Sequence, residues 1–163
     1  MKIGVISDTH IPIRATEIPK QILNEFSQVD LVLHSGDLET LSVLDSLSKV
    51  CSRVEAVYGN MDPLEVRRLL PQKRIIEVGK IRIGMTHGSG PAKGLVFTVE
   101  QIFKGDNLNI IIFGHSHSPL NEKRGSVLFF NPGSATDKIF SPFNSYGIIE
   151  IVNDKIEAKI IRL

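Results

Sequence analysis

The sequence predicts an α/β (α+β) fold in which two packed β-sheets are covered by helices. In the first half of the chain, short apolar runs alternate with stretches of helical periodicity, in the order strand, helix, strand, helix, strand, helix. In the second half the pattern is mostly strands, which a single parallel sheet would not produce. No linker, repeat or low-complexity tract interrupts the pattern, so we expect one domain over residues 1–163.

The first half contains three predicted strand–helix pairs. The strands are short apolar runs, and the helices carry apolar residues at spacings of three and four. In chain order the segments are strand Lys2–Ser7, helix Ile18–Phe26, strand Asp30–Ser35, helix Thr40–Lys49, strand Val54–Tyr58 and a short helix that begins near Pro63.

The second half begins with a predicted β-hairpin whose two-residue turn is Gly79-Lys80. An amphipathic helix and a fully apolar strand follow, and the rest of the chain contains strands without a helix. In chain order the segments are strands Arg74–Val78 and Ile81–Met85, helix Leu95–Phe103, and strands Asn109–Phe113, Val127–Phe130, Tyr146–Val152 and Ile156–Ile161.

Composition excludes several classes of protein. The net charge of +1 gives no basic field for nucleic acid or a membrane surface, so we expect neither partner. The single cysteine, Cys51, excludes an intrachain disulfide. The first residues read as a strand rather than a signal peptide, and no apolar run is long enough to span a bilayer. We therefore expect a cytoplasmic protein.

Polar residues of metal-binding types follow five predicted strands. The clusters are evenly spaced: the steps from His10 through Asp37, Asn60 and His87 to His115 are 27, 23, 27 and 28 positions. This period fits a strand, a crossover and the next strand. In sheets of this kind, ligands bind beyond the carboxyl ends of the strands. We therefore expect seven donors to meet at one edge: Asp8, His10, Asp37, Asn60, His87, His115 and His117.

The seven donors together indicate a metal site more strongly than any one of them does alone. Asp8 and His10 lie two apart, so an extended backbone would point both side chains the same way. Taken singly, Gly36-Asp37 and Gly59-Asn60 are ordinary turns, whereas two imidazoles in Gly114-His115-Ser116-His117 are typical of a metal site. A chain with one cysteine cannot form a cysteine-based structural zinc site. The sequence also lacks a P-loop and a dinucleotide fingerprint.

These motifs resemble the five-part signature of the calcineurin-like metallophosphoesterases, and the short length resembles their small bacterial and archaeal phosphodiesterase branch. The resemblance spans nearly the whole chain. It implies a four-layer αββα sandwich of two mixed sheets flanked by helices, with a dimetal centre at one edge. It also implies a phosphodiesterase that acts on a small phosphoester, using a hydroxide that bridges the metals as the nucleophile.

The resemblance also implies ligand assignments. Metal one takes Asp8, His10 and His117, metal two takes Asn60, His87 and His115, and Asp37 bridges them. Asp37, Asn60 and His87 are the expected catalytic residues. The donor set accepts Mn, Ni, Fe, Co or Zn, of which we expect Mn. His34 either supports the Asp37 carboxylate from behind or is an ordinary core or surface histidine.

One position departs from the family pattern. Many members carry a histidine after the asparagine, and that histidine is thought to protonate the leaving group, whereas this chain reads Gly59-Asn60-Met61-Asp62. Methionine cannot donate a proton, and general-acid help is typically worth about 10²–10⁴ in rate. We therefore hypothesise a preference for acidic leaving groups or strained diesters. Asp62 is a weak candidate for a substitute acid.

Two alternatives remain open at this point. The retromer scaffold subunit of eukaryotes has the same fold and works as an interaction protein with an eroded metal site, whereas all seven positions here hold competent donors. A phosphomonoesterase is the other alternative. The loops 89–94 and 137–144 are expected to form pocket walls. Ile139, Phe140 and Phe143 lie either in an apolar contact surface, which leaves homo-oligomer formation open, or in the core.

Overall fold

The computed structural model describes residues 1–163, which form ten strands and four helices. The strands are β1 (Lys2–Ile6), β2 (Leu31–His34), β3 (Val54–Ala56), β4 (Lys73–Val78), β5 (Ile81–Thr86), β6 (Ile110–Ile112), β7 (Leu120–Arg124), β8 (Val127–Asn131), β9 (Ser145–Val152) and β10 (Lys155–Arg162). The helices are α1 (Lys20–Phe26), α2 (Ser42–Ser48), α3 (Leu64–Leu69) and α4 (Leu95–Ile102). None of these helices has the length and apolar character needed to cross a membrane.

The strands form two five-stranded sheets, with orders β10-β9-β1-β2-β3 and β4-β5-β6-β8-β7. In the first sheet β1, β2 and β3 are parallel, and β9 and β10 are antiparallel to their neighbours. In the second sheet β5, β6 and β8 are parallel, and β4 and β7 form antiparallel edges. Both sheets are therefore mixed, which confirms the prediction.

The two sheets share an apolar core, and the helices cover the outer faces. Ile3 of β1 and Ile83 of β5 lie in one buried cluster between the sheets, because alternate residues of each strand point to opposite faces. Val43 of α2 belongs to a second cluster on the other face of the first sheet. Val99 of α4 packs with Phe129 on the outer face of the second sheet. The order of layers is αββα, as predicted.

The predicted elements are present with bounds that differ by at most two residues, and one further strand was not predicted. Helix α1 begins at Lys20 rather than Ile18, because Pro19 still has an extended ψ of 131°. Strand β7 was not predicted, because its sequence Leu-Asn-Glu-Lys-Arg lacks the alternation of apolar and polar residues that indicates a strand. Hydrogen bonding to β8 forms this polar edge strand, so pairing rather than side-chain character decides its conformation.

Candidate metal centre

The turns that follow β1, β2, β3, β5 and β6 meet at one edge of the two sheets. Hydrogen bonds join them directly: the Asp8 N–H donates to the Gly36 carbonyl at 3.0 Å, and the Gly114 N–H donates to the His87 carbonyl at 3.1 Å. The structure therefore places the seven predicted donors in one region, although they are spread over a hundred positions of sequence.

Asp8, His10 and His117 form a first group, in which one ligand atom from each residue lies within 4.8 Å of the others. The Nε2 atom of His117 lies 3.2 Å from Asp8 Oδ1 and 3.2 Å from His10 Nε2. Asp8 is fully buried, and Ser7 Oγ donates to its Oδ2 at 2.6 Å. Two imidazoles and a buried carboxylate thus converge on one point.

The far nitrogens of these two imidazoles are held by carboxylates. His10 Nδ1 lies 2.6 Å from Glu39 Oε1, and His117 Nδ1 lies 2.6 Å from Asp137 Oδ2. A neutral imidazole that donates from Nδ1 to a carboxylate leaves a lone pair on Nε2, the usual arrangement of a metal-binding histidine. Two such lone pairs at 3.2 Å repel each other unless a positive charge lies between them. The donor set therefore fits a metal ion.

A second group contains Asn60, His87 and His115. The Asn60 Oδ1 atom lies 3.1 Å from His87 Nε2 and 2.8 Å from His115 Nδ1. The other nitrogens of both rings face backbone carbonyls, Ser35 O for His87 and Gly90 O for His115, each at 2.8 Å. An amide oxygen and two imidazole nitrogens are thus directed at one another.

Asp37 lies between the two groups. Its Oδ2 atom is 3.2 Å from His87 Nε2 and 3.8 Å from His10 Nε2. Its Oδ1 atom accepts a hydrogen bond from the Met61 N–H at 2.7 Å, which fixes the carboxylate orientation. The side chain is almost fully buried. One carboxylate oxygen therefore faces both candidate ion positions.

The electrostatics of the region favour added positive charge. Burial alone would lower the pKa of His87, but its hydrogen bond to Asp37 and the negative charges of Asp8 and Asp37 raise it to about 9. Burial likewise opposes protonation of His117, yet the hydrogen bond to Asp8 raises its pKa. Burial would raise the pKa of Asp8, but His117 lowers it. The buried carboxylates therefore attract positive charge to this place.

The backbone of the ligand turns is left-handed rather than extended. Asp8 and His10 have φ angles of 51° and 42°, so the prediction that both lie in extended backbone is wrong. Asp37, His115 and His117 share this conformation, with φ of 56°, 69° and 54°. Non-glycine residues rarely adopt it, and clusters of such residues are typical of functional sites. The side chains converge because the backbone of each turn is left-handed at these residues, not because the strand continues as extended backbone.

The middle residue of each ligand turn points away from the centre. Thr9 is buried, and its Oγ1 lies 3.1 Å from His34 Nε2. Leu38 is fully buried in the cluster beneath the helices of the first sheet. Ser116 Oγ accepts a hydrogen bond from Asn131 Nδ2 at 3.1 Å. Each turn is therefore attached to the body of the protein through the residue between its two outward side chains.

Two glycines make room for the carboxylates. A Cβ atom at Gly59 would lie 2.1 Å from Asp37 Oδ1, and one at Gly114 would lie 2.0 Å from Ser7 Oγ and 2.6 Å from Asp8 Oδ2. Neither glycine has a positive φ, so the requirement is space rather than backbone conformation. These contacts explain why glycine precedes the donors at these two strand ends.

His34 supports the turn before Asp37 without contacting the Asp37 carboxylate. Its Nδ1 accepts from the Gly36 N–H at 3.2 Å, which leaves Nε2 to donate to Thr9. Burial lowers the pKa of this fully buried imidazole to about 3, so it stays neutral near pH 7. Thr9 lies between Asp8 and His10, so His34 links two of the ligand turns.

Sequence reasoning missed the carboxylates of Glu39 and Asp137, and it did not find the structural role of Asp62. Glu39 and Asp137 orient imidazoles, and Asp62 accepts backbone hydrogen bonds from Gly59, Asp37 and Glu39 at 2.7, 3.0 and 2.6 Å. Both Asp62 oxygens are therefore engaged, which argues against its use as a substitute acid. Burial raises the Asp62 pKa despite these bonds. The Asp37-Leu38-Glu39 spacing offered a signal for Glu39, whereas nothing near Asp137 in sequence did.

The segment from Asn131 to Ser134 is buried beneath the ligand turns. Asn131 Nδ2 donates to the Gly114 carbonyl at 2.9 Å, and Ser134 Oγ donates to the Asp8 carbonyl at 2.7 Å. Both side chains are fully buried. The segment therefore holds the backbone of two ligand turns.

An open pocket of about 460 Å³ lies over the centre. The loop 137–144 contributes Phe140 to its wall, as expected, and Gly90 of the loop 89–94 contacts His115. Ile139 and Phe140 are 67% and 66% exposed, so the core alternative for these two residues is wrong.

Comparison with known proteins identifies the family. Residues 1–154 match the calcineurin-like phosphoesterase superfamily domain. The chain belongs to this superfamily. A probable metallophosphoesterase of Methanocaldococcus jannaschii is 42% identical over 162 residues, which cover 99% of this chain and 81% of that relative. Phosphodiesterase YfcE of Escherichia coli is 29% identical over 172 residues, covering 92% and 88% of the two chains.

Solved structures show the same architecture. The crystal structure of wild-type Vps29 from Entamoeba histolytica complexed with Zn²⁺ superposes with a TM-score of 0.76 and 25% identity, and the match covers 99% of each chain. The expected family and four-layer fold are thus confirmed. Membership of the phosphoesterase superfamily, together with phosphodiesterase-named relatives, supports a hydrolase.

Proposed function

We propose that this chain, as one domain over residues 1–163, is a cytoplasmic phosphodiesterase that depends on two divalent metal ions. Mn²⁺ is the ion we expect, and Ni²⁺, Fe²⁺, Co²⁺ and Zn²⁺ suit the same mixed oxygen and nitrogen donors. The substrate class is a small phosphoester. The relatives named metallophosphoesterase and phosphodiesterase support this proposal.

One observation carries the proposal: the Nε2 atoms of His10 and His117 face each other at 3.2 Å while carboxylates hold both Nδ1 atoms. Two ligand nitrogens bound at about 2.0–2.1 Å to one tetrahedral ion lie roughly 3.3 Å apart, close to this spacing. A purely structural histidine pair would gain nothing from having two carboxylates direct its lone pairs at one point.

The residues divide into two ligand sets. Asp8, His10 and His117 would hold one ion, Asn60, His87 and His115 would hold the other, and Asp37 Oδ2 would bridge them. When bound, the ions would supply Lewis acidity toward the phosphoryl oxygens and lower the pKa of a water molecule. Asp37, Asn60 and His87 are the catalytic residues of this proposal, because they lie between or beside both ion positions.

Hydrolysis of a diester breaks the bond between phosphorus and the leaving oxygen, and that oxygen must then gain a proton or depart as an anion. Met61, which lines the pocket beside Asp37, has no proton to give. Asp62 is occupied by backbone donors. We infer a preference for leaving groups that are stable as anions, such as phenolates.

The scaffold alternative has support from the likeness to Vps29. The intact donor set favours catalysis, because seven competent ligand side chains converge and two carboxylates orient the imidazoles behind them. A phosphomonoesterase remains the other candidate, and substrate profiling separates the two activities.

The deciding experiment measures hydrolysis of a chromogenic aryl phosphodiester by chelator-stripped protein, before and after addition of Mn²⁺. We expect activity only with metal, and none in Asp37→Asn. Asp45→Asn, an exposed carboxylate on α2, is the matched control and should retain wild-type activity. No activity with any divalent metal, in protein that still folds, would replace the proposal with the scaffold alternative.

A further inference from the structure

The pocket over the metal centre has two chemically different sides. The five donors His10, Asp37, Asn60, His115 and His117 form its floor, and Ile13, Met61 and Phe140 form an apolar side. Its volume of about 460 Å³ lies within the range of roughly 300–1,000 Å³ that holds small ligands.

The apolar side is unusually exposed. Ile13, Met61 and Phe140 are 67%, 57% and 66% exposed, and all three line the same pocket. Large apolar side chains grouped at one exposed place gain free energy when a ligand covers them. The Met61 N–H donates to Asp37, so this residue is fixed next to the proposed bridging carboxylate.

Phe140 is held in position beside the floor. Its ring centroid lies 6.4 Å from that of His117, with the planes at 70°. The Arg14 guanidinium carbon lies 5.3 Å from the centroid of the Phe140 ring, within the range of a cation–π contact. The Asp137 carboxylate, which also orients His117, accepts from the Ile139 N–H at 2.8 Å. The aromatic ring and the metal ligand therefore share one support.

The charge pattern indicates what the pocket would hold. Arg14 is the one lysine or arginine that lines it, and it lies against Phe140 on the apolar side. The Glu39 carboxylate also lines the pocket, so the walls offer no further positive charge. A phosphodiester has a single negative charge at phosphorus and two ester groups. If the ester group in the pocket is apolar, the ligand has no second negative charge that the pocket would need to neutralise.

We propose that this pocket selects phosphodiesters with an aromatic ester group, and that Phe140 is the residue that contacts that group. The inference rests on the proposed function, because it assumes that the phosphoryl group lies on the ligand floor. An aromatic group on phosphorus would then cover Phe140 together with Met61 or Ile13. Aromatic pairs prefer edge or offset contacts at centroid distances of about 4.5–7 Å. The Phe140 ring lies 6.4 Å from the His117 ring on the floor of the pocket, so a ligand on that floor would lie beside it.

The test uses the monomethyl esters of phenylphosphonate and methylphosphonate, which carry one negative charge as a phosphodiester does. Their binding to the Mn²⁺-loaded protein is compared by isothermal titration calorimetry. We expect the wild type to bind the phenyl compound about tenfold more tightly. Phe140→Ala should remove most of this preference while the affinity for the methylphosphonate ester stays the same. Phe97→Ala is the matched control, because Phe97 is 62% exposed on α4 and does not line the pocket.

The outcomes separate this inference from the proposed function. Metal-dependent hydrolysis with a phenyl preference that persists in Phe140→Ala, or with no preference in the wild type, overturns the inference and leaves the phosphodiesterase proposal standing. A preference that depends on Phe140 in protein without hydrolytic activity supports the pocket assignment and overturns the catalytic proposal. Failure of the wild type to bind either phosphonate overturns the inference.

Discussion

Replacing Asp137 with asparagine tests how much the carboxylate behind His117 contributes to metal binding. Asp137 Oδ2 lies 2.6 Å from His117 Nδ1, and the side chain is fully buried. A hydrogen bond to a charged group contributes about 1.5–3 kcal/mol, against about 0.5–1.5 kcal/mol for a neutral one. The midpoints of these two ranges differ by about 1.25 kcal/mol, which predicts a roughly eightfold loss of metal affinity.

Asparagine keeps the size of the side chain, so we expect Asp137→Asn to fold. With its one oxygen facing His117 Nδ1, it gives up the hydrogen bond that Asp137 Oδ1 accepts from the Ile139 N–H. Metal affinity is measured by competition with a chromogenic chelator. The control is Asp106→Asn, in the loop between α4 and β6. A second readout is the His117 imidazole resonance in metal-free protein. Its pKa should fall, because the negative charge that helps raise it is gone. Unchanged metal affinity and an unchanged His117 pKa would refute the reasoning.

Three further predictions follow from the same structure. Met61→His should raise the rate on alkyl diesters by about 10²-fold or more, and a wild-type rate that is flat across a leaving-group series would contradict the premise. Gly114→Ala, whose Cβ would displace Ser7 and Asp8, should lower metal affinity about tenfold or more in chelator competition; retention of wild-type affinity would count against it. Burial lowers the pKa of His34 in the folded protein to about 3, from 6.5. As the pH falls below 6.5, His34 therefore takes up a proton in unfolded chains and not in folded ones. His34 should therefore contribute a fall of about 2 kcal/mol in the stability of metal-free protein between pH 7 and pH 5. Urea unfolding measures this contribution as the difference in pH dependence between the wild type and His34→Gln.

The strand ends and their donors could be predicted because one signal reports both. A buried strand is an apolar run, and a polar residue at its carboxyl end is conspicuous against that run, as Asp37 is after Leu31–His34. The topology then brings such ends together whatever the length of the connections. The ordered set of seven donors was sufficient to recognise the superfamily and its four layers.

Residues that act through space rather than through local pattern could not be predicted. Asp137 lies in an irregular loop, and only the folded chain shows its carboxylate behind His117. Strand β7 is polar and is formed by its hydrogen bonds to β8. The left-handed φ angles of Asp8 and His10 arise from the turn that joins β1 to the loop, a conformation that a two-residue spacing does not specify.

The alternation within the ligand turns has an evolutionary consequence. Thr9, Leu38 and Ser116 attach the middle of each turn to the core. Five proposed metal donors and Glu39 occupy the flanking positions. Selection can therefore act on the two sets independently. Replacement of the outward side chains would end the chemistry and leave the anchors of each turn in place. A lineage could in this way exchange catalysis for partner binding while it keeps the same architecture.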